Sequence, residues 1–347
     1  MDKRRFPGRR LPLRDEGYSG PSRPTPYFEG WYLRQVSADR QASLAVIVGI
    51  SLSPEDTHAF IQLLAGPGRE VLKARYPLSD LTARRDRFDV RLGENRFTPE
   101  GLRLNLSADG VKVEGELTFS GRISYPTTIF SPGIMGPYSW APFMECIHGV
   151  LSLHHHVEGL VDWSGKPYDF SGGRGYIEKD RGRSMPEQWI WMQTNEFDDE
   201  GSGLMLSVAR IPWMGSSFTG HLGYLRYNGE LWKIGTYAGT RVAGHAGEGE
   251  LELRIIRNQR ALELWVKHEQ QGGVLDAPVN GAMSREIIES PHSAVQAVLR
   301  DDGSLVWEGR AEPAAVEAAG DVTSLLTSKG GQSSQSGRSS KPSSSRE

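Results

Sequence analysis

The chain alternates apolar and polar residues over many short stretches. A period of two predicts β-strands whose successive side chains face opposite sides. Such stretches fall at 42–50, 60–65, 88–92, 102–106, 111–119, 204–211, 220–227, 250–257, 261–268, 294–300 and 305–308. Turn-forming sequences separate them, among them Gly201-Ser202-Gly203, Asn228-Gly229, Gln271-Gly272-Gly273 and Asp301-Asp302-Gly303. No segment carries a long, capped helical period, and short helical turns are expected only near Asp80 and Arg285. Many strands without intervening helices predict an all-β protein built from antiparallel barrels or packed sheets. The ordered length exceeds one small barrel, so two halves are expected, with a boundary near Ser184-Met185-Pro186.

Between Gly172 and Asn195 the alternation carries unusual residues. Tyr176, Glu178 and Asp180 share one strand face, opposite Ile177 and Lys179; Trp189, Trp191, Gln193 and Asn195 share another, opposite Ile190, Met192 and Thr194. Carboxylates on one strand and indoles on the next fit neither an aliphatic core face nor a polar outer face, and predict a pocket wall. The segment 146–163 alternates as well. Ile147, Leu151, Leu153, Val157, Val161 and Trp163 take odd positions, and His148, Ser152, His154, His156, Glu158 and Asp162 take even ones. Glu145 and His155 then fall on the apolar side, where an ionisable group needs a partner or a task. His154 and His156 could converge on one ion, but a third ligand would have to come from a solvated face, so no metal site is expected. Earlier, Glu29 and Trp31 share a face of the 27–32 segment. The loop from Ser131 to Glu145, rich in Pro, Gly and aromatics, offers Trp140 and Phe143 as a lid or pocket wall.

Composition narrows the classes. The 347 residues allow two domains with substantial cores, and the single cysteine, Cys146, excludes an intrachain disulfide framework and suits a reducing, cytoplasmic setting. A net charge of -3 gives no general attraction to nucleic acid, and no apolar run approaches the ~20 residues of a membrane span. Residues 1–25 read as a basic disordered tail with at most weak contact to an anionic surface. Residues 326–347 read as a disordered Ser/Gly-rich tail.

The blocks Phe28-Glu29-Gly30-Trp31-Tyr32, Gly175-Tyr176-Ile177-Glu178-Lys179-Asp180 and Trp189-Ile190-Trp191-Met192-Gln193-Thr194-Asn195 resemble the tocopherol cyclase family. The loop from Ser131 to Glu145 is similar to that of its bacterial members. More distantly the chain is similar to the carotenoid 1,2-hydratases. The resemblance implies two lipocalin-like β domains, 26–185 and 186–325, and a cofactor-free cyclisation of a prenylated quinol to a chromanol. The alternatives are hydration of an isoprenoid or carotenoid double bond, or a lipocalin-like carrier of prenylquinones or lipids without chemistry. The implied partner is a small hydrophobic isoprenoid or prenylquinol, with peripheral membrane contact as a route of access and no nucleic acid. Arg181 departs from the plant enzymes, which carry an aromatic after the corresponding stretch.

Both reactions begin when an acid protonates a prenyl alkene, and both end when oxygen captures the tertiary cation. That chemistry nominates Asp180, Glu178, Glu29 and Glu145 as acids, and His148 or His155 as the group removing the quinol proton. Trp31, Trp189 and Trp191 would stabilise the cation, Tyr32, Trp140, Phe143 and Tyr176 would complete the aromatic wall, and Gln193 and Asn195 would orient the ring oxygen.

Overall fold

A computed structural model describes residues 16–20, 23–66, 69–141, 144–213 and 215–326. Two antiparallel sheets contain nearly all of its regular secondary structure, as the alternation predicts. The first contains β1 (Tyr27–Val36), β2 (Ser43–Leu52), β3 (Thr57–Gly66), β4 (Glu70–Tyr76), β5 (Leu81–Ala83), β6 (Val90–Leu92), β7 (Asn95–Thr98), β8 (Gly101–Ala108), β9 (Val111–Ile123), β10 (Cys146–Trp163), β11 (Lys166–Asp169) and β12 (Gly173–Gly182). The second contains β13 (Trp189–Thr194), β14 (Gly203–Trp213), β15 (Ser216–Tyr227), β16 (Glu230–Gly235), β17 (Arg241–Gly247), β18 (Glu250–Arg257), β19 (Arg260–Lys267), β20 (Gly273–Val279), β21 (Ala282–Asp301) and β22 (Ser304–Ala319). One helical turn, α1 (Thr323–Leu326), follows.

In the first sheet the strand order is β4-β3-β2-β1-β12-β10-β9-β8-β7-β6-β5, with β11 on β10, and the sheet curls into a nearly closed barrel. The second runs β16-β15-β14-β13-β22-β21-β19-β18-β17, with β20 on β21. Each sheet encloses its own core. Trp31, Leu33, Val46, Ile61, Phe97 and Ile177 belong to the first, and Ile190, Met192, Leu206, Leu225, Leu262 and Leu299 to the second. A third apolar cluster joins the two sheets and includes Tyr32, Tyr176, Trp189, Trp191, Met205 and Tyr224. Strand alternation produces this division: odd residues of β1 and β12 enter the first core, and even ones face the second sheet.

Local signals act as their chemistry dictates. Asn228 and Gly229 both take positive φ, at 48° and 78°, and turn β15 into β16. Leu78–Asp80 forms a 3-10 turn near Asp80, but Arg285 lies within β21 rather than in a helical turn. The basic segment is not tail-like over its described residues 16–20. Tyr18 is buried beside Trp31, and Lys179 Nζ donates to Gly17 O at 2.7 Å. Most of residues 1–25 and 326–347 lies outside the described residues.

The 146–163 alternation is interrupted. The pairing of β10 with β12 shifts between Val150 and Ser152 and again between Ser152 and His155. Leu151, Val157, Val161 and Trp163 therefore enter the first core, whereas Leu153 joins the cluster between the sheets. Bulges change which side a strand presents, so one apolar face in the sequence divides between two cores.

Candidate active site

A cleft lies between the sheets, walled mainly by apolar side chains. Even residues of β1 and β12 supply one wall: Phe28, Gly30, Tyr32, Glu178 and Asp180. Odd residues of β13 supply another through Trp189 and Trp191, and Met135, Tyr138, Ile211 and Phe218 extend the lining. The alternating acids and indoles thus meet across the junction of the two sheets.

Glu178 sits at the centre and is 5% exposed. Tyr176 Oη donates to its Oε2 at 2.7 Å, Trp191 Nε1 donates to the same oxygen at 3.2 Å, and His148 Nε2 lies 3.5 Å away. Burial pushes its carboxyl up to about 7, with the Asp180 charge adding to the rise; His148 and the two donors act in the opposite sense. His148 is paired across the strands with Asp180 and lies 2.9 Å from it through Nδ1. Glu178, His148 and Asp180 all line the cleft, and His148 also borders a second, polar cavity together with Arg122 and Arg181. Cys146 Sγ donates to Asp180 Oδ1 at 3.5 Å, and burial holds the thiol well above its ordinary pKa.

Donor atoms of His148, Glu178 and Asp180 lie within 4.8 Å of one another. Tyr176 and Trp191 donate to Glu178 and His148 Nδ1 meets Asp180, while His148 Nε2 stands 3.5 Å from Glu178 Oε2, so the three groups are near enough to pass a proton between them. His154 is not on a solvated face. It is 5% exposed, and burial first, then Arg226, lowers it to about 3.

The structure brings together Asp180, Glu178, His148, Tyr32, Tyr176, Trp189 and Trp191. It separates the other candidates from the cleft. Glu29 and Trp31 face the first core, where Glu29 meets Lys179 Nζ at 2.6 Å and Trp31 stacks on Phe88. Glu145 is exposed and lines neither cavity. His155 is fully buried against Phe119, with Nδ1 2.9 Å from Ser152 Oγ and Nε2 3.1 Å from Gln35 Oε1; burial lowers it to about 3. Gly175 makes room for this pair, since a Cβ there would stand 2.0 Å from Gln35 Oε1 and 2.1 Å from His155 Nε2. Trp140 is 46% exposed and outside the lining. Gln193 accepts from Arg34 Nη1 at 3.5 Å, and Asn195 Nδ2 donates to Gly175 O at 3.1 Å, both deeper between the sheets. Phe143 lies outside the described residues.

Two acids escaped the sequence reading. Glu317 of β22 lines the cleft and accepts Trp189 Nε1 at 2.6 Å; Glu289 of β21 is fully buried and accepts Tyr32 Oη at 2.8 Å. Burial pushes Glu289 up to about 7 and Glu317 well above the carboxylate range. Glu317 interrupts the small apolar run 314–319, a weak local signal, whereas Glu289 sits among Glu286, Ser290 and His292 and carries none.

Comparison with known proteins gives matching families and folds. The family model described as tocopherol cyclase-like matches residues 125–320. The rice (Oryza sativa subsp. japonica) protein named "Probable tocopherol cyclase, chloroplastic" is 26% identical over 146 residues, 40% of this chain and 30% of that one. The tocopherol cyclase, chloroplastic, of Zea mays is 27% identical over 103 residues, 28% of this chain and 22% of that one. These matches span under a third of the curated relatives' length. Among solved structures, CghA with Sch210972 aligns at a TM-score of 0.57 and 11% identity, over 84% of this chain and 88% of that one. A candidate AttH from Nitrosomonas europaea aligns at 0.51 and 16% identity, over 84% and 92%. These two likenesses are of fold.

Proposed function

Because the chain belongs to the tocopherol cyclase-like family, we propose that it is an enzyme that cyclises a prenylated quinol to a chromanol by proton transfer. The observation that carries this reading is Glu178, a carboxyl buried in an apolar, aromatic cleft between the Tyr176 and Trp191 donors, where burial pushes its pKa up to about 7. A group of that pKa exchanges protons readily near neutrality.

The alkene takes a proton and becomes a tertiary cation. The quinol oxygen then forms the C–O bond, and its hydroxyl proton departs. Product and substrate are isomers, so nothing is oxidised or reduced. Trp189 and Trp191 present indoles to the cation, each worth about 2 kcal/mol when desolvated. Glu178 carries protons, and His148, which stands 3.5 Å from it and is held by Asp180, borders the polar cavity and so connects it to water.

That polar cavity also favours a second reading, hydration, since water could reach the cation past His148. Mass spectrometry of purified protein incubated with a prenylated quinol tests both. Cyclisation conserves mass and shifts retention, whereas hydration adds one water. Glu178→Gln should lower either rate by about 10²- to 10⁴-fold. No change in mass or retention across several prenylquinols would refute both reactions and leave a carrier.

A further inference from the structure

The second sheet brings an acid of its own to the cleft. Along β22, Ala315, Glu317 and Ala319 alternate with Ala314 and Val316; the latter two fill the second core, and Glu317 reaches the cleft between two small residues. Its cross-strand neighbours are Trp191 on β13 and Glu289 on β21. Trp189 and Trp191 stand about 7 Å apart on one face of β13. Each grips a different carboxyl: Trp189 Nε1 reaches Glu317 at 2.6 Å, and Trp191 Nε1 reaches Glu178 at 3.2 Å. One strand therefore fixes two acids, one from each sheet, at neighbouring points of the same cleft.

We propose that the two carboxyls divide the proton transfers: Glu317 supplies the proton that starts the reaction at the alkene, and Glu178 takes the proton released by the attacking oxygen. This rests on the cyclase reading given above. The O–H bond of Glu317 breaks as the new C–H bond forms. The substrate O–H breaks as the C–O bond closes, and Glu178 becomes protonated. After product leaves, one proton stands displaced from Glu317 to Glu178, and exchange with water restores the pair, through His148 at Glu178. No oxidant, reductant or second substrate is needed.

The surroundings separate the roles. Glu289 faces Glu317 across the strand pair, and Glu178 and Asp180 face it from β12. All three are acids, and no basic side chain among the described residues forms an ion pair with Glu317; Arg285 lies over the Trp189 ring. Glu289 has Arg34 near it and keeps one buried oxygen, Oε2, without a hydrogen-bond partner. Two carboxyls side by side in so dry a place do not both ionise, and Glu317 keeps its proton. Glu178 faces His148 on β10, Asp180 and Tyr176 on β12 and Tyr224 on β15, and with His148 beside it the carboxylate is the more accessible form.

The wild-type pH profile with a prenylated quinol is the test. If Glu178 must be ionised and Glu317 protonated, kcat/KM rises as pH increases through about 7 and falls at higher pH. If a protonated Glu178 starts the reaction and Glu317 plays no part, kcat/KM falls as pH increases through about 7, and the proposal is overturned. Glu317→Gln should lose about 10²- to 10⁴-fold in kcat while still quenching tryptophan fluorescence on binding the chromanol product. Glu317→Asp, which keeps the acid, should recover part of the rate. Infrared spectra should show a protonated-carboxyl stretch that persists above neutral pH and vanishes in Glu317→Gln but not in Glu289→Gln. Wild-type kcat in Glu317→Gln also overturns the assignment. Failure of the wild type to turn over any prenylquinol is a different result, and it removes the cyclase reading together with this proposal.

Discussion

Glu29→Gln distinguishes an acid that holds the fold from one that transfers protons. The Glu29 carboxylate is fully buried, lies 2.6 Å from Lys179 Nζ, and accepts from Ser19 N, Gly20 N and Tyr27 Oη, each at 2.9 Å. Glutamine keeps the volume, removes the charge and turns an NH2 group toward existing donors. Lys179 Nζ also meets Gly17 O at 2.7 Å and the Trp31 ring at 4.8 Å. Breaking one side of a buried ion pair costs about 3–5 kcal/mol, and in a chain of this size that lowers Tm by about 10 °C. Lys179→Met should cost less, about 2 kcal/mol, since the carboxylate keeps three donors. The double variant should lose less than the sum of the two. Burial alone would raise the Glu29 pKa, but Lys179 and the backbone N–H groups of Gly20 and Ser19 outweigh it and hold the carboxyl below 4.5. Its stabilisation is therefore complete above the unfolded value, near 4.5, and is lost as pH falls through the lower folded value. Urea unfolding followed by tryptophan fluorescence measures the cost. An unchanged midpoint in a Glu29→Gln protein that no longer turns over substrate would refute the structural assignment.

Other perturbations bear on the cleft. Trp191→Phe removes a donor that stabilises ionised Glu178, so the pH limb near 7 should move up by about one unit; a downward shift would contradict the geometry. Asp180→Asn leaves His148 Nδ1 without its carboxylate, and turnover should fall about 10²-fold while product binding, read by fluorescence, is retained. Cys146 should react slowly with a disulfide reagent at neutral pH and rapidly once urea unfolds the protein, because burial and Asp180 hold it as the thiol. Gly30→Leu should raise KM more than it lowers stability. A Cβ at Gly30 meets nothing nearer than Val48 O at 3.6 Å, and the rest of the side chain extends into the cleft beside Asp180.

How much of this was legible in the sequence depends on what a period of two encodes. It tells which residues of one strand share a face, and so it gathered Glu178 with Asp180 and Trp189 with Trp191. It does not tell which faces of different strands coincide, because that is set by register. Glu29-Gly30-Trp31 carries the same acid-and-indole pattern as the site, yet β1 pairs with β12 so that Gly30 lies opposite Asp180, Trp31 opposite Lys179 and Tyr32 opposite Glu178. Paired residues point the same way, so Tyr32 joins the cleft and Trp31 goes to the first core with Lys179. A slip of one residue would have put Glu29 beside Asp180 and reversed both assignments. Charge resists that slip, because it would separate the buried Glu29 carboxylate from Lys179 Nζ, 2.6 Å away. The buried ion pair in the first core thus does for the cleft what the alternation cannot. It fixes the register that places an empty position, Gly30, against Asp180 and leaves room for a substrate beside the acids. Glu289 and Glu317 were hidden for the related reason that only the pairing of β21 with β22 sets them side by side.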